Sequence, residues 1–338
     1  MFTKNGRKIN IGGSLAAKTI LLALTCPFVL LLCLNSYAGD ADPINVSEDD
    51  DITAVQAPRG LLIYSEGANL YKYDFGTKKE KSLFSQKKAI ESHKDISNVT
   101  YPNYLKPKNR IVFIGYDGPI GKGRIFECNI DGKNWLEIKD SDNIKQLFVS
   151  PDGSKFSFGR QIKPQGKGGT GLPKDYRYQL VVKDYNGSGI DGHERIIADD
   201  YSGRGCFWQS NDTMLYSDID SNTVKVVLKT GDKKIAIKGL EPVGMSNDGE
   251  LLLCADRKNI YLVYTDNYAP IWLKKINQGV SHRFVLSPDK RYLVYSKLRA
   301  LELFILAETK DLWLYDLNTD KEKLLIKGAS LFSGFWIE

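Results

Sequence analysis

The sequence predicts an all-β protein, a six-bladed β-propeller built from four-stranded antiparallel blades. Three observations support this prediction. The composition is typical of strands, with 18 Tyr and 14 Phe among 338 residues. One turn motif recurs along the chain between short apolar segments. The two chain ends carry complementary parts of one blade, so the C-terminal strand is expected to pair with the first blade.

The recurring turn is a tetrapeptide with Asp at its third position in most copies. It occurs at Ser150–Gly153, Ser210–Thr213, Ser246–Gly249 and Ser287–Lys290, with a degenerate copy at Lys106–Asn109. Pro fixes the backbone at the second position of three copies, and Asp and Gly tolerate the conformations that follow. Each copy therefore predicts a tight hairpin between the inner and second strands of a blade.

Two further strand-like segments follow each hairpin. One blade continues with Tyr178–Asp184 and then Arg195–Ile197, and another continues with Asp311–Asp316 and then Lys323–Ile326. A unit of four short strands that recurs about every forty to fifty residues is typical of a propeller blade.

The first and last units complete one another. The first unit has strand-like segments at Gly60–Tyr64, Asn69–Asp74 and Lys81–Phe84, but it has no inner strand. The last nine residues, Ser330–Glu338, resemble an inner strand with nothing after it. We therefore expect a propeller over residues 59–338, closed when the C-terminal strand pairs with the first blade.

The N-terminus predicts export. Four basic residues between positions 4 and 18 precede an uncharged apolar stretch at Thr19–Leu34, and Ser36-Tyr37-Ala38 follows. This pattern indicates a signal peptide at residues 1–38 and a periplasmic or secreted protein. The alternative is a membrane anchor formed by residues 19–34, which would be the chain's one means of membrane association. Residues 39–58 are acidic and predict a flexible leader.

The repeated motif resembles a known family. The pattern apolar-x-x-Ser-Pro-Asp-Gly-x-apolar, followed by Leu-Trp-x-x-Asp-Leu as at Leu312–Leu317, is similar to the TolB-type propeller repeat of bacterial envelope proteins. The resemblance covers nearly all of residues 59–338. It implies the fold but not the function, because the same repeat occurs in scaffolds, peptidase accessory domains and lyases. TolB also carries an α/β domain before its propeller, where this chain has only the acidic leader.

The residues offer little catalytic chemistry. The three histidines, His93, His193 and His282, are scattered, and no Gly-x-Ser-x-Gly motif occurs. The glycine-rich stretch 166–171 lacks the spacing of a phosphate-binding loop. After the signal segment, Cys128, Cys206 and Cys254 lie in strand-like segments and are expected to be buried and unpaired. We therefore predict no catalytic residue, metal or cofactor. A net charge of +6 without a concentrated basic stripe argues against nucleic acid.

Blade topology places two insertions and the starts of the inner strands on one face. The insertions Gln161–Arg177 and Lys297–Lys310 are both expected to join second and third strands, on the face where the inner strands begin. We call this face the mouth. The residues predicted to surround it, and to bind a ligand, are Tyr101, Lys145, Arg204, Glu241, His282 and Arg283. The alternative is that these are ordinary polar residues and that the insertions pack locally.

The sequence thus predicts an exported, non-enzymatic scaffold that binds an envelope protein or peptide, with an acidic segment favoured by the cationic mouth. The alternative is an enzyme or binding protein that acts on an acidic polysaccharide, because some propellers with this repeat are lyases.

Overall fold

A computed structural model describes residues 57–85, 96–117, 122–139, 141, 144–162, 177–187, 189–275, 280–300 and 309–338. The predicted signal peptide and all but the last two residues of the predicted leader lie outside these ranges. Within the described ranges the chain forms 23 β-strands and a single 3-10 turn, Lys106–Lys108. No helix of this part is long and apolar enough to span a bilayer.

The strands follow in chain order. The first eight are β1 (Leu61–Glu66), β2 (Asn69–Asp74), β3 (Lys79–Phe84), β4 (Asn98–Leu105), β5 (Arg110–Tyr116), β6 (Gly123–Asn129), β7 (Leu136–Glu137) and β8 (Gln146–Val149). The next eight are β9 (Lys155–Ile162), β10 (Arg177–Tyr185), β11 (Ile190–Ser210), β12 (Thr213–Asp218), β13 (Thr223–Val227), β14 (Lys233–Ile237), β15 (Glu241–Met245) and β16 (Leu251–Ala255). The last seven are β17 (Asn259–Tyr264), β18 (Pro270–Lys275), β19 (Val280–Leu286), β20 (Tyr292–Ala300), β21 (Thr309–Asp316), β22 (Lys321–Ile326) and β23 (Ser333–Ile337).

The strands form antiparallel sheets, as predicted. Four sheets have four strands each, in the orders β23-β1-β2-β3, β4-β5-β6-β7, β15-β16-β17-β18 and β19-β20-β21-β22. The fifth has seven strands, β8 to β14. Burial falls from the inside of a sheet to its outside: every residue of the second strand β16 is buried, whereas no residue of the outer strand β22 is buried. The apolar second strands thus form the core because other sheets cover both of their faces.

The seven-stranded sheet corrects the prediction of six separate four-stranded sheets. Strand β11 continues through 21 residues, pairing with β10 in its first part and with β12 in its second. Tyr201 has partners in both neighbours, and a register shift follows between Tyr201 and Cys206. Gly203, with φ +75°, adopts the left-handed conformation that glycine tolerates inside this shift. The segment expected to separate two blades therefore remains in the ladder.

Among the described residues, the buried apolar side chains form six clusters. Five lie between different sheets, and the sixth lies inside the seven-stranded sheet, between its β8–β11 and β11–β14 parts. The first strands contact one another in the order β23, β4, β8, β11, β15 and β19, and β19 contacts β23. The sheets thus pack in a closed series around their first strands.

Closure by the C-terminal strand occurs as predicted. Strand β23 pairs antiparallel with β1, with Leu62 opposite Trp336. The buried Trp336 ring stacks on Phe75 at a centroid distance of 4.0 Å, and its Nε1 donates to the Arg59 carbonyl at 2.7 Å. The last strand therefore joins the first and last parts of the propeller by a backbone ladder and by a buried aromatic pair.

The predicted hairpin turns are also present. In the copy at Ser150–Gly153, the Ser150 carbonyl accepts from the Gly153 N–H at 2.8 Å, and the Ser150 hydroxyl donates to Asp152 at 2.7 Å. The same pair of hydrogen bonds recurs at Ser246–Gly249 and Ser287–Lys290. We call the face that carries these turns the turn end, opposite the mouth.

All three described cysteines are buried and unpaired, as predicted. Burial raises the pKa of the Cys128 and Cys254 thiols to about 12 and raises that of Cys206 as well. These thiols are therefore protonated at neutral pH.

Candidate functional site

Four of the predicted mouth residues lie inside β-bulges of first strands, and the side chains of three of them, Tyr101, Arg204 and Arg283, are described. The register of β4 shifts between Thr100 and Asn103, around Tyr101. The shift in β11 after Tyr201 contains Arg204, and that in β19 after Val280 contains Arg283. A bulge leaves a residue outside the regular alternation and re-aims its side chain. The bulges thus release these three residues from the sheets at the mouth.

Arg283 joins three first strands that are not neighbours in the closed series. Its Nη1 donates to the Arg204 carbonyl on β11 at 3.1 Å, and its Nη2 donates to the Tyr101 hydroxyl on β4 at 3.3 Å. The guanidinium carbon lies 5.7 Å from the Tyr101 ring centroid and 5.8 Å from that of Phe332. The cation therefore reaches across the mouth between two aromatic rings.

Arg204 and Glu241 form a pair at the same mouth. Arg204 Nη1 lies 2.5 Å from Glu241 Oε1, which also accepts from the Ser221 hydroxyl at 2.6 Å. The Arg204 side chain is 67% exposed, whereas that of Glu241 is 17% exposed. Gly205 is required beside this pair, because a Cβ there would lie 2.0 Å from the Pro242 carbonyl oxygen. The close approach of β11 to β15 thus brings the two charged residues together.

Tyr101 is held in an unusual backbone conformation. Its φ is +51°, in the left-handed region that non-glycine residues seldom occupy. The Tyr101 N–H donates to Ser333 Oγ at 2.9 Å, and the Asn103 amide donates to the carbonyls of Tyr101 and Leu147, each at 2.9 Å. Surrounding groups thus maintain the strain and fix the ring under Arg283.

Lys145 lies near the mouth but outside this network. Its Nζ is 5.4 Å from the Tyr116 ring centroid, and its carbonyl accepts from the Tyr116 hydroxyl at 3.2 Å. Burial raises the pKa of Tyr116 to about 12, so the phenol stays a hydrogen-bond donor at neutral pH. His282 lies in β19, and its side chain falls outside what the structure describes. Four of the six predicted residues are therefore connected: Tyr101, Arg204, Glu241 and Arg283.

Phe332 is a mouth residue outside the predicted set, because Ser330–Glu338 was predicted as a whole to form the closing strand. In the structure, Phe332 precedes β23 and is 42% exposed. Its ring packs edge-on against Tyr101, with 5.5 Å between centroids. A signal was available: Phe332 occupies the position just before a first strand, as Lys145 does before β8.

The insertion predicted at Lys297–Lys310 is shorter than expected. Residues 297–300 belong to β20 and residues 309–310 to β21, with Lys297 opposite Asp311. The strands extend because paired backbone groups satisfy one another, whereas a loop leaves them to solvent. Its central residues, and those of the insertion predicted between β9 and β10, lie outside the described ranges.

The mouth offers hydrogen-bond donors and aromatic faces. Among the described residues, no carboxylate lies within 4.0 Å of Arg283, and no three His, Cys, Asp or Glu side chains are grouped to hold a metal ion. A half-buried guanidinium between two rings is suited to a carboxylate, because charge-assisted hydrogen bonds strengthen as water is excluded.

Comparisons with known proteins place the fold. No protein-family model matches the chain, and no curated protein matches it. Among solved structures, TolB from Acinetobacter baumannii superposes with a TM-score of 0.61 at 12% identity, over 82% of this chain and 66% of that one. A nidogen/laminin complex gives a TM-score of 0.56 at 9% identity, over 82% and 97% of the two chains.

An oligogalacturonate lyase in complex with manganese gives a TM-score of 0.51 at 9% identity, over 77% of this chain and 70% of that one. Identities this low carry the fold and not the activity. The antiparallel sheets, the closing strand and these likenesses agree, and the chain has a TolB-like β-propeller fold.

Proposed function

We propose that this chain is an exported, non-enzymatic six-bladed β-propeller that binds a carboxylate-bearing segment of a protein or peptide at its mouth. The observation that carries the proposal is Arg283. This cation has no carboxylate partner among the described residues and lies between the rings of Tyr101 and Phe332. The Tyr101 ring that it contacts is carried by a backbone in the left-handed conformation. Strain that the fold maintains at a cluster of this kind supports a binding role.

Six blades follow if the seven-stranded sheet is taken as two blades that share β11. The two parts of β11 serve different neighbours and meet only at Tyr201, beside the register shift. The cluster inside this sheet packs Val182 against Tyr216 and Val224, just as the other five clusters pack one sheet against the next. Six clusters and six first strands support six blades.

Export rests on the predicted signal peptide at residues 1–38, and a TolB-like fold is consistent with an envelope protein. A protein or peptide partner is supported by the likeness to a nidogen/laminin complex, in which one protein binds another. It is also supported by the mixed character of the mouth, where one exposed aromatic ring adjoins a cation, a combination common at the centres of protein interfaces.

The alternative partner is an acidic polysaccharide. The likeness to an oligogalacturonate lyase favours it, since the same unpaired Arg283 would attract a sugar carboxylate. Peptide and sugar differ in what Phe332 contributes: a peptide offers apolar side chains to pack against this exposed ring, whereas a charged sugar offers little apolar surface.

The test is direct binding by the chain that begins at Gly39, the form expected after signal cleavage. An array of peptides with Asp or Glu is compared with the same peptides carrying Asn or Gln, and oligogalacturonate is titrated with and without manganese. We expect acidic peptides to bind best and Arg283→Gln to weaken them about tenfold to a hundredfold, because a hydrogen bond to a charged group contributes about 1.5–3 kcal/mol.

Lys229→Gln is the matched control. It removes one positive charge from the turn end, where Lys229 pairs with Asp212 at 2.8 Å. Arg283→Lys separates charge from geometry, because lysine keeps the charge and loses the planar fork. Equal affinity of the Arg283→Gln and Lys229→Gln variants would contradict the proposal, as would equal binding of acidic and neutral peptides. Binding of oligogalacturonate alone, lost in Arg283→Gln, would establish the alternative.

A further inference from the structure

Below the mouth, the central channel of the propeller is lined by aromatic side chains. The first strands form a closed series, so the side chains that lie between them surround the axis of the propeller. Tyr101 on β4, Phe148 on β8 and Phe207 on β11 follow one another in this series. The ring centroids of Tyr101 and Phe148 are 6.2 Å apart, and those of Phe148 and Phe207 are 5.9 Å apart. Three neighbouring first strands thus contribute one continuous aromatic wall.

The aromatic wall is not fully covered by the protein. Phe148 and Phe207 are half-buried, although each is flanked by other residues of its own first strand. Their strand neighbours Leu147 and Cys206 are fully buried. A large apolar ring that neighbouring sheets cover on both sides would be buried as well. The surface that remains exposed on Phe148 and Phe207 is therefore the surface of the channel.

The channel is also apolar beyond the aromatic wall. Val243 lies in the register shift of the next first strand, β15, and is half-buried. Phe335 on β23 is half-buried too, and it stacks on Tyr104 of β4 with 5.9 Å between ring centroids. Five of the six first strands thus present a half-buried apolar or aromatic side chain towards the centre. Such a channel suits an apolar group better than a charged one.

Arg283 lies at the mouth end of the aromatic wall. Its two hydrogen-bond acceptors, the Tyr101 hydroxyl and the Arg204 carbonyl, belong to β4 and β11, the two outer strands of the wall. A guanidinium has five N–H donors, and these contacts use two of them. Both acceptors are neutral, so a carboxylate would form stronger, charge-assisted hydrogen bonds with the same cation. A site for a carboxylate therefore adjoins the entrance of an apolar channel.

A contact at the turn end limits what can pass through the channel. The Asn247 side-chain amide donates to the Trp336 carbonyl at 3.1 Å. Asn247 lies in the turn after β15 and Trp336 lies in β23, and β19 separates these two strands in the closed series. The hydrogen bond therefore crosses the turn end, as Arg283 crosses the mouth. It obstructs the passage of an extended chain, which favours a side chain as the group that enters the channel.

We propose that the mouth recognises the C-terminal residue of a protein or peptide, with its α-carboxylate at Arg283 and an apolar side chain in the channel. This inference rests on the proposed function and names the carboxylate that the mouth prefers. A C-terminal residue carries both groups on one Cα, so it can contact the cation and the aromatic wall together. In Asp or Glu the side chain is itself the carboxylate, and adjacent side chains of an extended segment point in opposite directions. Capture of a terminal carboxylate is a recurring mode of peptide recognition.

The experiment measures the affinity of the chain that begins at Gly39 for fluorescent synthetic peptides, by anisotropy. Each peptide lacks Asp and Glu and ends in leucine, either as the free acid or as the amide. We expect the free acid to bind about tenfold more tightly or better, because it offers Arg283 a charged acceptor. A final glycine in place of the leucine should weaken the free acid about tenfold, because the channel then buries no apolar side chain.

Two variants separate the two contacts. Arg283→Gln should remove the difference between acid and amide and keep the preference for leucine over glycine. Val243→Phe should fill the channel and remove the preference for leucine, while the acid still binds better than the amide. Ile271→Phe, the same kind of enlargement at a 52% exposed residue of β18, is the matched control and should bind every peptide like the parent. If Val243→Phe does not fold, peptides that end in alanine, valine or phenylalanine test the channel on the parent protein.

Equal affinity of the free acid and the amide would overturn the inference, as would equal affinity of peptides that end in leucine and in glycine. The proposed function is judged separately, with amidated peptides that contain one internal Asp. If these bind through Arg283 while the terminus has no effect, the mouth binds side-chain carboxylates and the inference alone fails. If no peptide responds to Arg283→Gln, the proposed function fails as well.

Discussion

The two ends of the propeller are built on different principles. At the turn end, three copies of one turn repeat the same two hydrogen bonds within four residues. At the mouth, the contacts of Arg283 reach residues 79 and 182 positions away in the chain, and no copy of the arrangement is found elsewhere in the described residues. The repeated end provides local order, and the unrepeated end provides a particular chemical surface.

The two ends also differ in the partners of their charged side chains. Lys290 at the turn end contacts both Asp248 and Glu250 of the neighbouring sheet, and Asp316 binds Arg291 with both side chains largely buried. At the mouth, Arg283 contacts a carbonyl, a phenol and two rings. Pairs that are complete stabilise the fold, whereas a cation that lacks a carboxylate retains capacity for one. The difference supports the proposal that the mouth binds a ligand, and it indicates that the turn end contributes mainly to stability.

The largest expected effect concerns the closing strand, which spans both ends. Trp336→Ala removes a buried ring stacked on Phe75 and should lower the free energy of unfolding by about 3–5 kcal/mol. Urea denaturation followed by tryptophan-independent circular dichroism measures the loss. The control, Phe332→Ala at the mouth, removes a 42% exposed ring and should cost about 1 kcal/mol or less. If the two variants unfold alike, the closing role of Trp336 is wrong.

Prediction from sequence succeeded where the structure depends on residues that are close together in the chain. The hairpin turns follow from Ser, Pro, Asp and Gly at fixed offsets, because each residue acts on its own few backbone bonds. The apolar run of β16 likewise predicts a strand that is buried on both faces. Even closure was predictable, since a missing inner strand at one end and a surplus one at the other leave two sheet edges to be satisfied.

Prediction from sequence failed where the structure depends on contacts between residues far apart in the chain. Nothing local indicates that Arg283 contacts Tyr101, or that Glu241 is satisfied by Arg204 and Ser221. These contacts depend on β-bulges, in which one extra residue at a strand end changes the direction of a side chain. No evident sequence motif marks the bulges. The continuous β11 was missed for a similar reason: Arg195–Ile197 and the strand that begins at Arg204 were predicted as parts of two blades, whereas the ladder continues from one to the other through Tyr201.

The next expected effect tests the paired carboxylates of the turn end. Burial alone would raise the pKa of Asp316, but hydrogen bonds from Arg291 and the Asn318 N–H outweigh it and hold the pKa below its usual value. Asp316→Asn should therefore lower the free energy of unfolding at pH 7 by about 2 kcal/mol. Asp131→Asn, at an exposed carboxylate 3.7 Å from Lys133, is the control and should change it by less than about 0.5 kcal/mol.

The sign of the pH dependence follows from the same shift. Because the folded state holds the Asp316 pKa below that of the unfolded chain, the stabilisation is fully present above the unfolded pKa near 4. It is lost as the pH falls through the lowered folded value. Stability of the parent should therefore decline on acidification below about pH 5, and less steeply in Asp316→Asn. Equal pH profiles for the two proteins would contradict this assignment.

The smallest expected effect concerns a like-charged pair on the outer strands, away from both ends. Lys81→Glu replaces a like-charged pair opposite Lys72 with an oppositely charged one, which should raise the free energy of unfolding by about 0.2–1 kcal/mol. Urea denaturation of the variant and the parent measures the difference. Lys133→Glu is the control, since it replaces a lysine that already has Asp131 as partner and should not stabilise the protein. A Lys81→Glu variant that is less stable than the parent would contradict repulsion between the two ammonium groups, because only an attractive contact of Lys81 could then explain the loss.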